Sequence, residues 1–130
     1  MKTTLAISQM SVSKDYEENI KKATKLIREA KSKGADLILL QELFERPYFC
    51  QIEDYERFDY AEEYEHSKTL EYFQKLAKEL EIVLPISFFE KSGNCYYNSI
   101  CVIDKDGERK GLYRKTHIPT GQCYEEKFYF

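Results

Sequence analysis

Residues 36–40, Asp-Leu-Ile-Leu-Leu, are a short apolar run followed at once by Gln41 and Glu42. A run this short, without polar alternation, predicts a strand buried on both faces, as in a sheet covered by helices. The preceding segment agrees. Tyr16, Ile20, Ala23, Ile27 and Ala30 recur at spacings of four, three, four and three, one apolar stripe on an amphipathic helix. Ser13 is the expected cap, Asp15, Glu17 and Glu18 suit the positive helix start, and Gly34 stands where the helix should stop. Residues 3–9 read as a further strand with Leu5 and Ile7 on one face. The first third of the chain is therefore a strand–helix–strand unit, most simply parallel. Its carboxyl end carries Glu42, and carboxyl strand ends are where open α/β sheets build their sites.

The remaining chain extends this pattern. Residues 45–65 read as a long loop with a short helix at most. Glu53 to Glu65 holds seven acids against the single base Arg57, read as a solvated face or a field attracting cations. A helix is predicted from Ser67 to Leu80 on the stripe Leu70, Phe73, Ala77 and Leu80. Ile82 to Phe89 follows as a buried strand, in which Pro85 requires a bulge or an edge position. Residues 96–103 and 108–114 read as an antiparallel pair, turned by Asp104-Lys105-Asp106-Gly107. From Lys115 the chain is loop-like. The order β-α-β-loop-α-β-β-β predicts an α/β layered architecture. Phe128-Tyr129-Phe130 is expected to be uncovered, as if a domain stopped early.

Composition mostly excludes. A net charge of −3 carries no footprint for nucleic acid. No apolar run approaches a membrane span and no secretory h-region follows Lys2, so a cytoplasmic location is the default expectation. Cys50, Cys95, Cys101 and Cys123 form no CxxC pair, and a metal site is not expected.

Three segments together resemble the nitrilase superfamily of carbon–nitrogen hydrolases: Gln41-Glu42-Leu43-Phe44, Tyr113-Arg114-Lys115-Thr116-His117-Ile118-Pro119, and Tyr124-Glu125-Glu126-Lys127-Phe128-Tyr129-Phe130. Leu84 to Glu90 and Asn98-Ser99 fit the same pattern, and Pro85 belongs to it. The resemblance implies the N-terminal half of a four-layer αββα sandwich, with residues 1–130 a single partial domain. It also implies hydrolysis of a non-peptide C–N bond by a Glu-Lys-Cys triad, with Glu42 as base, Lys115 as the lysine and Glu126 positioning substrate and lysine. By the same resemblance Tyr48 and Tyr124 bind substrate, and no cofactor is needed. The triad cysteine should lie beyond the last residue, so the chain by itself should be inactive. Cys123 is read as a plain loop thiol and His117 as a residue that orders the loop after Lys115.

Within the superfamily, Pro47-Tyr48-Phe49-Cys50-Gln51 and the aromatic ending look most like enzymes acting on N-carbamoyl amines, N-carbamoylputrescine foremost. A β-ureidopropionase-like hydrolase and a non-catalytic binding module are the alternatives. The expected partners are a small carbamoyl amine and, in the full-length protein, further copies of the same chain, but neither nucleic acid nor membrane. A base in a desolvated pocket is expected for Glu42. Half a sandwich also leaves one sheet face without cover, so self-association of the isolated chain is expected.

Overall fold

The computed structural model describes residues 2–130. Strand β1 (Leu5–Ile7) and strand β2 (Leu37–Leu39) pair in parallel, Ala6 opposite Ile38, with helix α1 (Tyr16–Ser32) between them. The cap of α1 differs from expectation. Asp15, not Ser13, accepts from the Glu18 backbone N at 3.1 Å. The Ser13 hydroxyl instead accepts from Asp15 N at 3.2 Å, supporting the residue that caps. Gly34 closes the helix at φ +86°, its N–H reaching Lys31 O at 2.9 Å while Ala35 N reaches Ala30 O at 3.0 Å. This is the paired closure that a left-handed residue makes possible.

After β2 the chain runs through three short 3-10 turns and a two-residue strand β3 (Glu62–Glu63) into helix α2 (Lys68–Leu80), capped by Ser67. Strands β4 (Leu84–Ser92), β5 (Cys95–Ile103) and β6 (Arg109–Arg114) form an antiparallel meander. An isolated parallel bridge between Leu37 and Val83 links the β1-β2 pair to the four-stranded sheet of order β3-β4-β5-β6. Pro85 makes no bulge. It stands in regular register opposite Val102, on the stretch of β4 between the Val83 bridge and the pairing of Glu90 with β3. The free flank there is the edge-like position a proline tolerates.

Strand alternation divides this sheet into two faces. Ile38, Leu84, Ile86, Phe88, Cys101 and Ile103 point to the helices and pack with Ile27, Leu70, Phe73 and Ala77. The opposite face begins at β1, where Leu5 and Ile7 are 67% and 85% exposed, and continues through Leu39 and Val102. The expectation that residues 36–40 are buried on both faces is thus corrected: helices cover one face only. At its far end that second face is covered after all. Phe89 meets Phe49 at 5.0 Å and Phe130 at 5.2 Å between ring centroids, and Phe49 meets Tyr129 edge-on at 5.0 Å. A one-turn helix α3 (Glu126–Tyr129) delivers these rings. Tyr129 is buried, so the expected uncovered aromatic ending is also corrected. Its hydroxyl donates to Ile52 O at 2.6 Å and accepts from Asp54 N at 3.0 Å, tying α3 to the loop after β2.

Two positions test this packing. Gly107 lies at φ +84° in the β5–β6 turn, and a Cβ there would stand 2.8 Å from the Gln74 carbonyl of α2. Gly107→Ala should cost about 2–4 kcal/mol in urea unfolding, combining left-handed strain with a backbone clash. Glu45 is 4% exposed and its Oε2 has no partner among the described residues. Burial raises its pKa from 4.5 to about 7. A raised carboxyl pKa favours the native state while the group is protonated, so this contribution is complete below pH 4.5 and lost as pH rises through 7. The drop should be on the order of 3 kcal/mol between these limits. Glu45→Gln should flatten that part of the stability–pH curve, and an unchanged curve would refute the assignment.

Candidate active site

Glu42 sits where β2 gives way to a tight turn. The next residue, Leu43, is buried and held at φ +49°, a conformation that costs a leucine about 1–3 kcal/mol. Its N–H donates to the Ser87 hydroxyl of β4 at 3.0 Å, so the strained turn is anchored to the neighbouring strand.

Lys115 arrives from the other side of the sheet. Arg114, the last residue of β6, turns toward the helix-covered face and grips the buried Glu90, Nη2 to Oε1 at 2.6 Å and Nε to Oε2 at 2.9 Å. The Ser99 hydroxyl donates to the same carboxylate at 2.6 Å. Burial acts to raise the Glu90 pKa, yet the Arg114 and Ser99 hydrogen bonds outweigh it and the pKa is lowered. The ion pair is satisfied on both oxygens, as a buried charge requires. With Arg114 pinned on one face, alternation sends Lys115 to the other.

There the Lys115 ammonium meets two carboxylates. It lies 3.2 Å from Glu42 Oε1, and 3.1 and 2.8 Å from the two oxygens of Glu126. Glu126 is 2% exposed, at the first turn of α3, and the Tyr48 hydroxyl donates to its Oε1 at 2.6 Å. Burial first, then the negative Glu126, raises the Tyr48 pKa, which keeps the phenol a donor. Burial works against the Lys115 charge, but its hydrogen bonds to Glu126 and Glu42 prevail and its pKa is raised. Lysine is therefore a fixed cation here. Glu42 is less enclosed than expected, with 47% of its side-chain surface exposed, so the desolvated base is not found in this chain.

Asn98 was not singled out as a site residue, yet it touches both partners. Its side-chain amide donates to Glu42 Oε1, and its carbonyl accepts from Lys115 N at 2.8 Å. An asparagine buried inside a strand must find hydrogen bonds, and that requirement was the available signal. Ser87, Asn98, Ile100 and Tyr113 line a concavity of about 310 Å³ that opens onto Glu42 and Lys115. Tyr124 is 59% exposed, its ring 6.3 Å from that of Tyr48. Tyr48 itself is committed to Glu126. His117 is exposed and makes no side-chain hydrogen bond among the described residues; the loop is held instead by Glu125 N on Cys50 O at 2.7 Å.

Two of the four thiols are buried. Cys50 is fully buried, and burial first, then Glu126 and Glu42, pushes its pKa up to about 12. Cys101 is buried on the helix face, and burial raises its pKa too. Cys95 and Cys123 are exposed. Among the described residues no three His, Cys, Asp or Glu side chains converge as metal ligands would.

Exchanging Glu126 for Gln should lower the Lys115 pKa, because an opposite charge in contact is lost. Nitrogen-detected NMR of the lysine side chain reads this directly. No shift would mean that Glu126 does not hold the ammonium.

The carbon–nitrogen hydrolase family model matches residues 4–130. The chain is 51% identical over 129 residues to an N-carbamoylputrescine amidase of Oryza sativa, covering 99% of this chain and 43% of that protein. A citrullinase of Francisella tularensis is 43% identical over 97% of this chain and 44% of that protein. The chain thus spans less than half the length of these relatives. A crystal structure of a carbon–nitrogen hydrolase from Helicobacter pylori superposes with a TM-score of 0.90 at 37% identity, over 98% of this chain and 44% of that one. An amidase from Nesterenkonia sp., 21% identical, shares the fold with a TM-score of 0.80 over 98% of this chain and 47% of its own.

Proposed function

Because the chain belongs to the carbon–nitrogen hydrolase family, we propose that it carries the base and the oxyanion-binding cation of an N-carbamoyl amine amidase, with N-carbamoylputrescine as substrate. The observation that carries this reading is the Lys115 ammonium between the Glu42 and Glu126 carboxylates. The substrate assignment rests on the likeness to N-carbamoylputrescine amidases.

In this reading Glu42 takes the proton of a cysteine thiol as sulfur attacks the carbamoyl carbon. The carbonyl π electrons move onto oxygen, and the Lys115 ammonium meets the developing negative charge. Collapse expels the nitrogen leaving group, which takes its proton from Glu42. Water then gives a proton to Glu42 as its oxygen attacks the S-carbamoyl intermediate; the C–S bond breaks, sulfur takes that proton from Glu42, and the carbamic acid released breaks down to CO2 and the second amine. Glu126, buried and bonded to Tyr48, holds Lys115 in place throughout. The cluster favours this assignment of roles because each group has the charge its step requires.

The attacking thiol is proposed to come from outside these 130 residues. Cys50 is the thiol nearest in charge environment, and its elevated pKa leaves it protonated at neutral pH. A β-ureidopropionase-like reaction would use the same groups on a different leaving amine. A second reading, a non-catalytic module that binds a partner, is favoured by the exposed Leu5 and Ile7 on the open sheet face.

Assayed alone, the chain should release no ammonia from N-carbamoylputrescine; turnover abolished by alkylating Cys123 would overturn that. Joined to the remaining part of the rice relative it should release ammonia. In that hybrid, Glu42→Gln or Lys115→Met should each lower kcat by about 10²–10³. A folded hybrid without turnover would favour the binding module.

A further inference from the structure

A second cavity, of about 270 Å³, lies on the outer side of the loop after β2. Its charged lining is wholly cationic: Lys14, Arg46 and Arg57, with no carboxylate among the lining residues. That is a strong local bias in a chain with 23 acids against 20 bases. Arg57 is answered by Asp54 at 3.0 Å. Neither Lys14 nor Arg46 has an ion-pair partner among the described residues, and no side-chain N–H of Arg46 makes a hydrogen bond there. Arg46 is nevertheless held. Its guanidinium lies 4.3 Å from the Tyr60 ring centroid and 5.2 Å from that of Tyr16. Aromatic faces fix a cation without neutralising it, so the fork of donors stays available. Phe49 and Ile52 supply an apolar wall beside it.

We infer that this pocket binds a small organic carboxylate. Such an anion would accept from the free Arg46 donors, offset the unpaired Lys14 and Arg46 charges, and lay its apolar body on Phe49 and Ile52. Inorganic phosphate would leave the apolar wall unused. A cationic amine would be repelled, so the pocket is no extension of the proposed amine substrate's site. Tyr48 forms a common wall: it lines this cavity while its hydroxyl bonds Glu126 of the catalytic cluster.

The test is a titration of the whole chain with benzoate, read by the Arg46 Nε–Hε NMR signal. Saturable movement of that signal is expected, with inorganic phosphate and benzylamine at equal concentration giving none. Lys14→Gln, at an exposed position without structural bonds, should weaken benzoate binding by about tenfold, the worth of one charged contact. Arg46→Lys, which removes the planar fork, should weaken it further, read through the Tyr60 ring signals. No saturable benzoate response would overturn the inference. So would an equal response to phosphate, which would indicate diffuse positive charge alone, or full affinity in Lys14→Gln. Since the catalytic cluster takes no part in the readout, failure here leaves the proposed amidase reading untouched.

Discussion

One ammonium between two carboxylates joins segments otherwise far apart in sequence. Lys115 is 73 residues from Glu42 and 11 from Glu126, and bonds both. Each partner reaches it by a different local device. Glu42 is thrown forward by a strained leucine anchored on Ser87. Lys115 is turned to its face because Arg114 is locked to Glu90 on the other. Glu126 is carried in by a single helical turn whose aromatic residues are packed on Phe49 and Phe89. Remove any of these supports and the charges lose the geometry that holds them together.

The two halves of the core serve different ends. The larger apolar layer under α1 and α2 holds the sheet, and so sets where strand ends emerge. The aromatic cluster on the opposite face is smaller and lies against the site. Large flat rings bury area with few rotatable bonds, which suits a support that must hold a buried carboxylate still. Buried polar groups are nearly all answered. Glu90 has Arg114 and Ser99, Glu126 has Lys115 and Tyr48, and Glu62 accepts from Ser67 and Thr69. Among the described residues Ser8 Oγ and Glu45 Oε2 lack a partner, and Glu45 marks a place where protonation, not pairing, relieves a buried charge.

Much of this was legible before any fold was described. Periodicity located both long helices, and the turn residues Asp104 to Gly107 located the meander. Strand-end position drew attention to Glu42. The misreadings have a shared cause. Ser13 and Asp15 are both residue types that cap helices, and a two-residue offset between them is invisible in composition. Residues 36–40 suggest burial on both faces because an apolar run reports affinity for cover, not its presence. The aromatic ending was read as open because nothing local says that Phe49 and Phe89, 40 to 80 residues away, will receive it.

Local chemistry along the chain determined which segments become helix, strand or turn, and which side chains could do chemistry. These depend on spacings of two to four residues and on intrinsic charge. Tertiary structure alone decided that Asn98 links Glu42 to Lys115, that Tyr48 serves Glu126, and that Cys50 is a buried, protonated thiol. Those facts depend on burial and on oxygen–nitrogen distances between remote segments, quantities that a linear pattern does not carry.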